Sequence, residues 1–272
     1  MTTFALTCRF AALSSVVLAA VACSPSASTP SNERWTGNVS DVRVQWFAEP
    51  GIDLSTGVAV PIRAYLESYD LVQFTGALDN AYPGFTDAVP PNESRENSED
   101  SSTWDRRPSG DVSVGSKLTG NLQYRLKSAE PQSGNGMTAV VCRYTYGLGE
   151  QQTDGTIAQF AKSGFAENRG ITGVRLTLVA PGDPAVSELP SQTGPALAPS
   201  DNVFDGWRIT GYRTTAGASY EEWPDKDEVE RSCSSSAPDS LEVRQVLIRG
   251  PHSETDFAPS APSPGWPEAP SQ

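Results

Sequence analysis

VPIRAYLESYDLVQFTG, residues 60–76, and TAVVCRYTY, residues 138–146, together decide the expected fold class. In the first stretch Ile62, Tyr65, Leu66, Tyr69 and Val72 or Gln73 recur at spacings of three and four, the period of a helix with one apolar face. Ser55 or Thr56 precedes it as a cap, and Pro61 falls in the first turn, where a missing N–H costs nothing. Gly76 should stop the helix. In the second stretch Ala139, Val141 and Arg143 alternate with Val140, Cys142 and Tyr144, which is the two-residue period of a strand.

Outward from these two segments, Val42, Val44 and Trp46 alternate in DVRVQWF and predict a strand before the helix. ALDNAYPGFTDAV, residues 77–89, predicts a second helix broken at Pro83 and Gly84. Residues 90–108 are polar and aperiodic, as expected of a surface excursion or a disordered loop. Further strands are expected within 121–127, 173–179, 203–213 and 240–250, with a weakly amphipathic link at 156–166. The expected class is α+β: a curved, mainly antiparallel sheet packed against one long N-terminal helix and a second short or broken helix. Tyr65, Tyr69, Tyr82 and Phe85 form an aromatic cluster. They are either core beneath the helices or, in the case of Tyr65, Tyr69 and Tyr82, the lining of a pocket.

The two ends have a different character. Arg9 precedes an apolar run, residues 10–22, of 13 residues. A bilayer-spanning helix needs about 20, so the run suits a cleaved export signal rather than an anchor. It ends on Ala20-Val21-Ala22-Cys23, close to a bacterial lipobox, although Ala20 stands where that motif usually has Leu. Ordinary signal cleavage also accepts Ala20 and Ala22, which leaves plain secretion open. Cysteine parity favours lipid on Cys23: Cys8 leaves with the signal, and an acylated Cys23 frees Cys142 and Cys233 to pair in an oxidising compartment. The domain plan is then a signal peptide at 1–22, a tether at 23–38, one globular domain at 39–250 with a polar loop near 90–110, and a disordered tail at 251–272 with six prolines. The expected location is the extracytoplasmic face of a cell membrane, held by lipid.

Composition narrows the function. With 20 basic and 33 acidic residues the net charge is -13, and loss of Arg9 makes it one unit more negative. Such a surface repels phosphate backbones and anionic headgroups, so nucleic-acid binding is not expected. His252 is the only histidine and lies at the edge of the tail, which removes the imidazole-dependent nucleophilic and zinc chemistries. Phosphate-loop, nucleophile-elbow and Ser-x-x-Lys motifs are absent from the sequence. No catalytic, cofactor or metal residues are assigned. A carboxylate pair remains open as histidine-independent enzyme chemistry. The acidic run Glu221, Glu222, Asp225, Asp227, Glu228 and Glu230 suits a solvated loop or helix start, or a hard cation. Cys142, in a strand, and Cys233, in a Ser-rich turn, are expected to form a disulfide.

VPIRAYLESYDLVQFTGALDNAYPGF followed by TAVVCRYTY and FDGWRITGYR resembles envelope lipoproteins of unknown function from mycolic-acid-bearing actinobacteria. The order of elements also resembles the cone-shaped nuclear transport factor 2-like and cystatin-like domains. That resemblance implies a helix over a bent sheet with a cavity at its open end. The expectation is a non-catalytic, membrane-anchored protein that binds a small ligand or an envelope partner, or else a structural or accessory subunit of an envelope complex.

Overall fold

The computed structural model describes residues 34–111, 113–161, 168–181, 189–250 and 252–270. The expected signal peptide, Cys23 and most of the expected tether lie outside the described residues. Among the described residues no helix is long and apolar enough to cross a membrane.

Among the described residues, seven strands make one sheet: β1 (Asp41–Ala48), β2 (Leu118–Pro131), β3 (Gly136–Tyr144), β4 (Leu148–Gln151), β5 (Ile157–Gln159), β6 (Ile171–Val179) and β7 (Arg208–Thr214). The helices are α1 (Ala59–Thr75), the single turn α2 (Phe85–Ala88), α3 (Lys226–Ser235) and α4 (Leu241–Ile248). All pairings are antiparallel except that of β1 with β2. The protein is therefore mixed α and β with a mostly antiparallel sheet. The expected detail of one long N-terminal helix is not borne out: the strand expected before it is β1, and the helix follows it within the sheet's connections. Parallel neighbours cannot be joined by a tight turn, and α1 belongs to the long connection that leads from β1 to β2.

β2 organises the sheet. One edge pairs with β1 along Thr119–Leu126, and the other pairs with β4 at Leu118–Gly120 and with β3 from Gln123 onward. Gly120 stands where the two partners diverge, at φ +114°, and a Cβ there would lie 2.2 Å from the Gly147 carbonyl oxygen. Only glycine fits that close approach. Register then sorts the side chains. Val44 faces Leu122, Trp46 faces Tyr124, Tyr124 faces Arg143, and Val141 faces Val174, which places these residues on one face of the sheet. Cys142, Tyr144 and Ile171 belong to a separate cluster with Tyr146 and Cys233.

α1 covers the first face. Its expected single apolar stripe is also corrected: 15 of its 17 residues are buried, Arg63, Glu67, Ser68 and Asp70 among them. The helix begins without a side-chain cap. Ser55 and Thr56 instead donate to Asp53, and the helix ends on left-handed Gly76, whose N–H donates to Val72 O at 2.8 Å. The segment 77–89 is broken as the sequence predicts, with a 3-10 turn at Leu78–Asn80 and then α2. The polar excursion that follows is ordered around Arg106, which donates to Pro90 O, Pro91 O and Thr210 O and pairs with Glu93 at 2.9 Å.

Three further expectations change. Residues 241–248 form α4 rather than a strand, because the Ser240 hydroxyl accepts from Val243 N as an N-cap. Cys233 sits in α3, not in a turn; its bond to Cys142 brings the two Cα atoms to 5.3 Å and ties α3 to β3. The described part of the tail is not disordered. Ser263 exchanges backbone hydrogen bonds with Val44 and Trp46 at 3.2 and 2.5 Å, and Trp266 is 1 % exposed. The open edge of β1 supplies unpaired backbone groups, and Phe257 and Trp266 bring the apolar area that a proline count overlooks.

Candidate functional site

The tail closes over a buried polar group. Glu67 Oε1 accepts from Trp46 Nε1 at 2.8 Å, and Oε2 accepts from the Tyr82 hydroxyl at 2.7 Å and Trp266 Nε1 at 2.8 Å. Arg63, one turn earlier, lies 4.2 Å over the Trp266 ring and donates to four carbonyls, of Leu54, Gln192, Pro264 and Gly265. Burial raises the Glu67 pKa above its ordinary value despite Arg63 and the three donors. Apart from Arg63 Nε, which is buried without a hydrogen-bond partner 3.9 Å from Glu67, these polar groups bond other parts of the chain, which makes the cluster a fastening between β1, α1 and the tail.

The second buried carboxylate on α1 reaches the surface through its partner. Asp70 lies three residues beyond Glu67, and strand alternation places Arg143 beneath it, beside Tyr124 in the register. Arg143 Nε donates to Asp70 Oδ2 at 2.7 Å, Nη2 donates to Oδ1, and the Tyr124 hydroxyl also donates to Asp70. Burial works against the Arg143 charge, but the Asp70 carboxylate outweighs it and holds the guanidinium pKa above its ordinary value. Asp70 is 1 % exposed and Arg143 19 %. The remaining nitrogen, Nη1, donates to no acceptor among the described residues and keeps solvent contact.

Arg143 stands in the wall of a cavity of about 730 Å³ at the C-terminal end of α1. Gln73 and Phe74 reach it from the helix, Thr145 from the end of β3, Ile171 and Thr172 from β6, Thr215 from beyond β7, and Glu230 from α3. Phe74 meets Phe160 edge to face at 5.4 Å and supplies the apolar side. Gly173 lets α3 come this near, since a Cβ there would sit 2.7 Å from Val229 and from Thr215. Asp70 is fully engaged as an acceptor, Thr215 Oγ1 accepts from Gly173 N at 3.2 Å, and Glu230 accepts from Asn168 at 3.3 Å. The site offers the Arg143 donor, the Glu230 carboxylate and an apolar wall.

Tyr65, Tyr69 and Tyr82, expected as possible pocket lining, are core instead. Tyr65 stacks on Phe85 and donates to Arg106 O at 2.7 Å, Tyr69 stacks on Tyr212 at 4.5 Å, and Tyr82 serves Glu67. The excursion after α1 packs against them, and burial pushes their hydroxyl pKa values up; burial pushes that of Tyr212 up to about 12. His252 packs on Phe257 at 5.2 Å with Asp256 at 3.5 Å. The acidic run does not converge: Tyr220 donates to Asp227, Glu222 accepts from Ser219 N at 2.8 Å, and no group of three metal-ligating side chains gathers among the described residues. Sequence reasoning passed over Asp70 and Arg143. The signal was present, because Arg63, Glu67 and Asp70 stand at i, i+4 and i+7, and Arg143 continues the alternation of Ala139 and Val141. Compared with protein families, curated proteins and solved structures, the chain matches none.

Proposed function

We propose that this protein is a lipoprotein held to the extracytoplasmic face of a cell membrane by Cys23, and that its folded domain binds a small ligand in the Arg143 cavity without catalysing a reaction. The cavity itself carries the reading. Its volume of about 730 Å³ falls in the range of small-molecule sites, which combine an apolar lining with a few placed polar groups. The Cys142–Cys233 bond suits an oxidising compartment, and the apolar run before Cys23 supplies the export route.

The test begins with expression in a lipoprotein-processing bacterium and intact mass measurement of the membrane fraction. The expected mass begins at Cys23 and includes acyl groups, and Cys23→Ala releases the protein from the membrane. Native mass spectrometry of the folded domain should then retain a small molecule. An uncut chain overturns the location, and a domain that takes up no small molecule overturns the binding role.

A second reading, a structural or accessory subunit of an envelope complex, rests on α4. Leu241, Val243 and Val246 are exposed there, at 42, 46 and 64 %, which suits a protein contact. Co-purification of a stoichiometric envelope protein lost in Val246→Glu would favour it.

A further inference from the structure

We infer that the Arg143 cavity selects an organic monocarboxylate with an aromatic or apolar body, a specificity that rests on the ligand-binding reading above. Arg143 through Nη1, Thr172 through its hydroxyl and Gln73 through its amide are wall donors without hydrogen-bond partners among the described residues, while Glu230 bonds only through Oε1 and adds a carboxylate beside them. Thr172 stands directly opposite Arg143 in the β3–β6 register, so the two belong to neighbouring strands at one point of the sheet. A guanidinium donates and never accepts, and a hydroxyl and an amide are also able to donate, so the partner that satisfies all three is an acceptor. Asp70 occupies two of the guanidinium nitrogens and fixes the plane of the group, which pre-organises the third.

The charge of the head group follows from the surroundings. A hydrogen bond from a charged donor to a charged acceptor is about twice as strong as a neutral one, which favours an anion at Nη1. Asp70 already balances the Arg143 charge, and Glu230 lies in the same wall. A doubly charged phosphate would meet two carboxylates against one guanidinium, whereas a single carboxylate adds the least repulsion for the same contact. The body of the ligand meets Phe74, Phe160 and Ile171, the apolar part of the lining.

A matched pair of probes tests this: 4-phenylbutanoate and its neutral amide, titrated into the folded, disulfide-bonded domain by calorimetry, with inorganic phosphate as the third probe. The carboxylate should bind at least about tenfold more tightly than the amide, which is roughly 1.4 kcal/mol, and phosphate should not compete. The double variant Asp70→Asn with Arg143→Gln, which keeps the pair neutral and hydrogen-bonded, should erase the difference. Thr172→Val, at a half-buried position, should weaken the carboxylate selectively and serves if the double variant does not fold. Equal affinity of the two organic probes in the unaltered protein overturns the carboxylate inference and leaves cavity binding standing. A preference that persists in the double variant overturns the role of Arg143, and competition by phosphate overturns the monocarboxylate assignment. Absence of binding by all three overturns the inference, and if the native mass measurement also retains no small molecule, the ligand-binding reading falls with it.

Discussion

The face of the sheet under α1 and the face under α3 are held by different means. Under α1, Trp46, Tyr124, Val141 and Leu176 merge with the helix, the 77–111 excursion and the Trp266 tail into one continuous core. Under α3 the buried cluster is Cys142, Tyr144, Tyr146, Ile171 and Cys233, with Val229, Ala237 and Leu247 at its edge. At about 25 cal/mol per Å² of apolar surface the small cluster gains little from burial. It also contains the disulfide, whose closed loop spans 91 residues. The chain thus places its covalent link where its apolar packing is thinnest, and lets the large core carry buried charges instead.

Removal of the link should have the largest effect. In the chain-entropy model a loop of this length contributes about 4 to 5 kcal/mol, so Cys142→Ala with Cys233→Ala should lower the denaturant midpoint accordingly. Hydrogen exchange should rise first in α3 and α4; an equal rise in α1 would break the contrast between the faces. Asp70→Ala tests the other face. It leaves Arg143 and Tyr124 without their shared carboxylate, and loss of one partner of a buried pair costs about 3 to 5 kcal/mol. Asp70→Asn should cost less, and equal losses in the two denaturant curves would show that charge plays no part.

Smaller effects sharpen the comparison. Trp266→Phe keeps the ring over Arg63 but removes one donor to Glu67, for an expected loss of about 1 to 2 kcal/mol in thermal or denaturant unfolding. The pH dependence of stability carries a sign. Burial raises the Glu67 pKa above its unfolded value, so the folded state binds the proton more tightly, and this residue's contribution falls as pH rises from the ordinary carboxylate range through the raised pKa. Glu67→Gln should remove that downward component, read as the difference between two stability-versus-pH curves; parallel curves would refute it. The least change is expected at Val246→Ser on α4, within about 0.5 kcal/mol, because the side chain is 64 % exposed.

Strand alternation made most of the sheet legible. The inward residues of β1, β2, β3 and β6 stand where the period places them, and the Cys142–Cys233 pair follows from parity. Residues 240–250 misled because an apolar run alternating over a few positions also fits a short helix, and Ser240 as a cap decided for the helix. The tail misled because its composition hid two buried aromatics. For the candidate site, the aromatic residues of α1 attracted attention as lining, yet the cavity wall is built from Arg143, Thr172, Gln73 and Phe74, which come from three elements. Long-range register, not local pattern, brings such residues together.

Taken alone, the amino-acid order determined the mixed class, the positions of most strands and the stop at Gly76, because each depends on a local period or a short run of side chains. Only the tertiary structure decided that α1 is buried on nearly every side, that Glu67 is sealed by the tail while Asp70 holds Arg143 at the wall of a cavity, and that β1 runs parallel to β2. The physical reason is that a buried charge is tolerable only where distant segments supply its partners, and which segments meet is a property of the assembled sheet.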